Sequence, residues 1–467
     1  MSTYDYDIAI LGAGPGGYVA AIRASQLGLR TAVIEKEKLG GVCLNIGCIP
    51  SKAIIHQAEI YEHALEAADL GLSIDASGFD YAKVFKKSRA AADRLSKGVG
   101  FLMKKNNIEV VAGTGRLSSG TSISVTAADG ATKEITAANI IIATGSSPRQ
   151  IPGFEFDEET ILSSNGILMQ EKLPESLVIL GAGAIGCEFA HALSTFGTKV
   201  TIVEMLDNIL PNEDPDTSAI LASSFKKRKI AVHTKTKALK VEKQSKGVTV
   251  HLEDSQGKTF TAEGEKLLVV VGRVPNTVGI GLQEIGVKTD RGFVQTGDYY
   301  QTAVPTVFAI GDVVPSPLLA HVASAEGELV VEHIAGHETA KKIDPTRIPG
   351  AVYTEPQVAS FGYSYEDAVK AGHEAVKAVF PYRGAGKAAA IGKTDGQVIL
   401  TYDKKTKEVL GASIAGAQAT ELIHELLLAR NSELLAGDVA GMIHAHPTLS
   451  EAVMEAAKQA YDGAIHV

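Results

Sequence analysis

Residues 6–28, YDIAILGAGPGGYVAAIRASQLG, carry the reading that decides the fold. Tyr6–Leu11 is a short apolar run of the kind a buried strand requires, and it leads directly into Gly12, Gly14 and Gly17 and then into a helical stretch. The first glycine permits a tight turn, the second lets the backbone approach a pyrophosphate, and the third lets helix and strand pack closely. The helix N-terminus then faces the anion. The next strand, RTAVIE, ends in Glu35, a carboxylate that can accept from both ribose hydroxyls of an adenosine. A Gly-rich turn alone is a weak signal, but here strand, turn, helix and terminal acid follow in register.

Working outward, the same pattern returns at residues 176–204, SLVILGAGAIGCEFAHALSTFGTKVTIVE, with Gly181, Gly183 and Gly186 in the turn and Glu204 at the strand end. Glu35 follows Gly12 by 23 residues and Glu204 follows Gly181 by the same 23. The chain therefore holds a duplicated mononucleotide-binding unit and calls for two nucleotide cofactors. At the second site Glu204 hydrogen-bonds a free 2′-hydroxyl and repels a 2′-phosphate. Met205 and Leu206 follow it rather than arginines, which favours NAD over NADP.

Between the units, residues 50–110 have helical periodicity broken by a Gly-containing segment, and residues 108–145 alternate as strands do. They close on IIIATGSSP (140–148), an apolar run ending in small residues, Gly145 among them, where a ligand can come close. LLVVVGRVPNT (267–277) and VFAIGDVV (307–314) have the same form. Asp312 in the last of these is either a satisfied turn acid or an acceptor for a ligand hydroxyl. Cys187, on the helix of the second unit, reads as a core thiol.

At 467 residues the chain exceeds one hydrophobic core and should divide into three or four domains. The boundaries expected are 1–148, 149–272, 273–346 and 347–467, the last set off by a shift to an α+β pattern that ends in two long helical stretches. The fold class is α/β, with two nested Rossmann-like dinucleotide-binding domains and an α+β C-terminal domain. No run of about 18 apolar residues suggests a membrane span. A net charge of −9 argues against a nucleic-acid surface. The one dense basic run, Lys226–Lys229, reads as a solvated face at a helix end. Three cysteines and no recognisable targeting segment point to the cytoplasm, or to the mitochondrial matrix if such a segment has been removed.

Two of the three cysteines fall in GGVCLNIGCIPSK (40–52). On a regular helix five residues advance about 7.5 Å and turn about 140°, so Cys43 and Cys48 would point apart. Bridging them requires a distorted turn, for which Gly47 supplies freedom and after which Pro50 is tolerated only in a first helical turn. The alternatives are two unrelated thiols or a strained, reducible pair. Near the C-terminus, HAHPTLSE (444–451) holds His446 before a proline, in an extended or turn conformation, with Glu451 near enough in sequence to orient its imidazole.

These segments, in their order and spacing, resemble the flavin disulfide reductases of the pyridine-nucleotide class over essentially the whole chain, and within them the members that oxidise dihydrolipoyl groups. Glutathione-reducing members carry arginines in the second unit, and mercury-reducing members add a C-terminal cysteine pair. Neither feature is present in this sequence. The resemblance implies FAD at the first site and NAD at the second. It makes Cys43 the interchange thiol and Cys48 the thiol that meets the flavin, with Lys52 and Glu188 an ion pair beside it. It implies that Glu35 binds the FAD ribose, that Gly115 and Ala320 touch FAD through their backbones, and that Asp312 holds the ribityl chain. Ala238 and Gly272 would line the NAD site, although TKTKALKVE (234–242) departs from the commoner valine at Ala238. His446, assisted by Glu451, would accept the dithiol proton at the disulfide of the other subunit of a homodimer. The implied partners are lipoyl domains and the peripheral-subunit-binding domain of an acyltransferase (E2), or a glycine cleavage H protein. The rival within the fold is an NADH-dependent reductase of another disulfide or of a metal.

Overall fold

The computed structural model describes residues 4–461 and 463–466. Its first sheet grows around β1 (Tyr6–Leu11), whose last four residues are buried. Helix α1 (Pro15–Gln26) crosses over to β2 (Thr31–Glu35), which lies parallel to β1. A pair of helices, α2 (Gly41–Ile46) and α3 (Cys48–Glu66), leads to the long α4 (Tyr81–Lys105), capped by the Asp80 carboxylate accepting from the Ala82 amide at 3.0 Å. Strand β3 (Glu109–Ala112) then adds beside β2.

Next come β4 (Thr114–Ser119), β5 (Ser122–Thr126) and β6 (Thr132–Ile142). The first half of β6 pairs antiparallel with β5 and its second half pairs parallel with β1. The apolar Ile140–Ile142 run falls on the parallel half and is fully buried, as a strand covered on both faces must be. Strand Val307–Ala309 returns from far along the chain to lie parallel to β6.

The second unit repeats the plan. Ser176–Leu180 is flanked by Lys199–Val203 and Lys266–Val269, with Ala231–His233 and Ile161–Leu162 outside them, all parallel. A three-stranded antiparallel sheet, Thr236–Gln244, Gly247–Asp254 and Thr259–Gly264, is appended as in the first unit. The two units are joined by Ser146–Pro148 pairing antiparallel with Arg273–Pro275.

The C-terminal part is a five-stranded antiparallel sheet, from Gly350–Val352 to Ala375–Pro381 at its edges, with its own core around Phe380, Tyr382, Leu400 and Ile414. Two expectations are corrected here. The two long helical stretches are three helices, Ala419–Asn431, Ala436–Gly441 and Ser450–Lys458, because a backbone turn through Met442–Thr448 separates the second from the third. In the basic run, Arg228 does not face solvent: its guanidinium lies 2.8 Å from Glu62 of α3, and both side chains are largely buried.

Candidate active site

Local backbone chemistry builds two equivalent cradles. Gly12 (φ +108°) and Gly181 (φ +102°) turn where only glycine is comfortable. A Cβ on Gly17 would sit 1.9 Å from the Gly12 carbonyl oxygen, and one on Gly186 would sit 2.0 Å from that of Gly181, so each third glycine is required by close approach. At Gly14 and Gly183, by contrast, a Cβ would meet nothing within 4 Å, and no side chain caps the helix that either glycine opens. The free space and uncapped amides are those a pyrophosphate needs. Glu35 accepts from the amides of Ala13 and Glu37, both at 2.8 Å. Glu204 repeats this with Ala182 at 2.7 Å and Leu206 at 2.9 Å. The residues present fit a dinucleotide at each cradle.

The cysteine segment is pressed against the first cradle. The Gly40 amide donates to the Ala13 carbonyl at 2.8 Å, and a Cβ on Gly41 would come within 2.7 Å of Gly14 Cα. Cys43 lies on α2 and Cys48 opens α3, with the helix broken at Gly47 (φ −148°, ψ −118°). A Cβ at Gly47 would lie 2.8 Å from the Val42 carbonyl oxygen, so the break depends on glycine through steric proximity. Pro50 falls in the first turn of α3, where its missing amide costs nothing. The distortion brings the two sulfurs into hydrogen-bonding contact.

That contact polarises the pair. Cys43 is pushed well up, first by its hydrogen bond to Cys48 and then by burial. Cys48 is brought down to about 7, first by the Cys43 hydrogen bond and further by the Lys52 ammonium, against the opposing effects of burial and of Glu188. Cys43 therefore donates and Cys48 is the thiolate. Lys52 Nζ reaches both Glu188 carboxylate oxygens, at 2.7 and 2.9 Å, and stands over the Tyr353 ring. Glu188 also accepts from the Tyr353 amide at 3.1 Å, so one buried carboxylate ties together α3, the second unit and the C-terminal part.

The strand ends flank this point. Gly145 (φ +69°) accepts from the Asn276 amide, and Gly272 (φ +114°) from the Arg149 amide. Asp312, in a short turn after Val307–Ala309, accepts from the Ser146 hydroxyl, with Arg273 Nε at 3.8 Å. Ala320 begins the helix Ala320–Ile334, and Ala238 lies at a register break in the strand Thr236–Gln244. Gly115 is buried on β4, where a Cβ would meet Leu11 at 2.4 Å. Cys187 is fully buried and donates to the Ala182 carbonyl, as a core thiol does.

His446 stands apart. Its Nδ1 is 3.0 Å from Glu451, its side chain is 76 % exposed, and among the described residues no hydrogen bond or ion pair joins it to either cysteine of its own chain. Burial raises the Glu451 carboxyl, but the Thr448 amide and His446 outweigh that and hold it below the usual range.

Sequence reasoning passed over several residues. Asn45 and Arg89 fasten α2: the Asn45 amide group donates to the Leu39 and Gly41 carbonyls, and Arg89 donates to the Asn45 carbonyl at 2.8 Å. Glu326 is fully buried beside Asp312, accepting from the Gly311 amide at 2.5 Å, and burial pushes it up to about 7. An acid on the apolar face of the 320–334 helix was the signal that could have found it.

Residues 6–327 match the model of the pyridine nucleotide-disulphide oxidoreductases, and residues 348–457 match the dimerisation domain of the same family. The chain belongs to that family. Two relatives are 42% identical over nearly the whole of both chains: the dihydrolipoyl dehydrogenases of Rhizobium etli (98% of each) and of Bacillus subtilis (99% of each). Among solved structures, LpdA of Mycobacterium tuberculosis superposes with a TM-score of 0.90 at 29% identity, covering 97% of this chain and 99% of that one. The flavoprotein disulfide reductase RclA of Escherichia coli superposes at 0.85 with 25% identity, covering 96% of this chain and 98% of that one. The two cradles, the sulfur pair and the dimerisation domain of this family member are thus features of one architecture. Among the described residues no helix is long and apolar enough to cross a membrane.

Proposed function

We propose that the chain is a dihydrolipoyl dehydrogenase, oxidising dihydrolipoyl groups and reducing NAD⁺ with FAD as its resident cofactor. The observation that carries this is the Cys43–Cys48 contact across Gly47, with its thiolate on the Lys52 side, packed onto the first dinucleotide cradle. The names of the full-length relatives support the same substrate. Gly12, Gly14, Gly17 and Glu35 would hold FAD, with Asp312, Ala320, Gly145 and the Gly115 strand around it. Gly181, Gly183, Gly186, Glu204, Ala238 and Gly272 would hold NAD. The chemistry FAD supplies there is the passage of an electron pair from the reduced sulfur pair to NAD⁺.

The remaining work falls to the protein. In the oxidised form Cys43 and Cys48 are joined, and a base must first convert a dihydrolipoyl thiol to the thiolate that attacks Cys43. Cys48 leaves as the better-stabilised thiolate, and the second lipoyl thiol then displaces Cys43. His446 is the base, with Glu451 on Nδ1 leaving Nε2 free to take the proton. Its exposure on its own chain supports a role at the cysteines of a second copy, and the dimerisation-domain match supports a homodimer. Lipoyl domains and the peripheral-subunit-binding domain of an E2 acyltransferase, or a glycine cleavage H protein, are the proposed partners, in the cytoplasm. Steady-state rates with dihydrolipoamide and NAD⁺, against NADH with other disulfides, test the reading. A rate with dihydrolipoamide no greater than that of Cys48→Ser would remove it.

A further inference from the structure

The segment that presents His446 contains a second imidazole. His444 lies two residues before it, but its side chain is only 3% exposed. Its Nε2 is 2.7 Å from Glu425 Oε1, on the helix Ala419–Asn431, and its Nδ1 is 3.1 Å from the Met442 carbonyl oxygen. A carbonyl and a carboxylate oxygen thus hold the ring at both of its nitrogens.

The segment is fastened on its other side as well. Thr448 donates through its amide to Glu451 at 2.8 Å and through its hydroxyl to the Ala445 carbonyl at 2.8 Å. Met442–Thr448 is therefore suspended between two helices, held by His444 on Glu425 at one end and by Thr448 on Glu451 at the other. His446 projects from the middle. The charge on His444 also falls close enough to Glu451 to favour its ionised form, the form that accepts from His446. Among the described residues, no hydrogen bond or ion pair joins His444 or Glu425 to the cradles or the sulfur pair.

We infer that His444, held at both ring nitrogens between Glu425 and the Met442 carbonyl, is a positioning residue that fixes the point from which His446 takes the dithiol proton. The inference rests on the reading of His446 as that base. Without the clamp the segment has several conformations of similar energy, and only the fraction with His446 aligned is productive. A charge-assisted hydrogen bond lost from such a segment lowers that fraction by about 10- to 100-fold.

The test uses FAD-loaded dimeric enzyme and two stopped-flow reactions: reduction of the enzyme by dihydrolipoamide, which needs the base, and reduction of the flavin by NADH, which does not. In His444→Leu and in Glu425→Leu the first rate should fall 10- to 100-fold, the second should stay within about twofold, and the KM for NAD⁺ should stand. Glu425→Gln, which keeps an acceptor oxygen, should recover most of the loss. Glu425 is near the surface, so its variants report even if His444→Leu does not fold. The inference is overturned if both Leu variants keep the dithiol rate while His446→Gln abolishes it, or if both reactions fall together. If His446→Gln itself retains the dithiol rate, the base reading fails, and that result is distinguishable from the other two.

Discussion

Opposite substitutions in the Lys52–Glu188 pair should move the Cys48 thiol in opposite directions. Lys52 favours the Cys48 thiolate and Glu188 disfavours it, the lysine having the larger effect. An opposite charge a few ångströms away shifts a pKa by about 1–3 units, and because a third of the Lys52 side chain is exposed, the low end of that range applies. Lys52→Met should therefore raise Cys48 by about one unit. From a starting value near 7, that leaves about one-tenth as thiolate at neutral pH instead of about half. Glu188→Gln keeps an acceptor for the Tyr353 amide while removing the charge, and should lower Cys48 by about half a unit, giving roughly three-quarters thiolate. Thiolate absorbance near 240 nm, followed from about pH 5 to 9 in the reduced enzyme with Cys48→Ser as the blank, reads both shifts. If the two variants move the titration the same way, or neither moves it by more than about 0.3 unit, the charge argument is wrong.

Gly47→Ala would place a methyl 2.8 Å from the Val42 carbonyl oxygen and should cost about 1–3 kcal/mol in urea unfolding, with slower closure of the disulfide; an unchanged midpoint would mean the break does not depend on glycine. Glu326 holds its proton up to about pH 7 when folded but only to about 4.5 when unfolded. Its stability contribution is therefore complete below about pH 4.5 and is lost as pH rises through 7. Glu326→Gln should then raise the Tm at pH 8 and leave it nearly unchanged at pH 5, and a gain at pH 5 alone would reverse the assigned sign. Replacing Glu204 by Ala together with Met205→Arg should shift the ratio of kcat/KM for NADP⁺ over NAD⁺ upward by about tenfold or more in steady-state assays.

How much of this was legible depended on whether a residue's role is local. The cradles could be read because each glycine serves an interaction within its own turn: Gly17 meets Gly12, and Gly186 meets Gly181. The break at Gly47 could be read for the same reason, since Cys43 and Cys48 at their spacing can be bridged only if the helix between them is broken. His446 and Glu451 lie five residues apart and meet as expected. Asn45, Arg89 and Tyr353 could not be found this way. Arg89 meets a backbone carbonyl 44 residues away, and Tyr353 offers Glu188 an amide that every residue but proline possesses.

The same distinction explains why Arg228 was misread. Four consecutive basic residues at a helix end look solvated from any local window, and the partners of two of them, Asp395 for Lys227 and Glu62 for Arg228, lie far outside it. Arg228 turns inward only because Glu62, from α3, reaches the same place when the first and second units pack together. Glu62 follows Cys48 on one continuous helix, so the guanidinium clamps the far end of the helix whose first turn presents the thiolate. Lys52 with Glu188 clamps the near end. Two ion pairs from one helix to one neighbouring unit fix both its position and its rotation, which is what a sulfur held against a cofactor site requires. Arg228→Met should accordingly loosen α3 without touching the cysteines, lowering the rate of reduction by dihydrolipoamide while the Cys48 titration at 240 nm keeps its midpoint. A shifted midpoint would show that Arg228 acts through charge and not through placement.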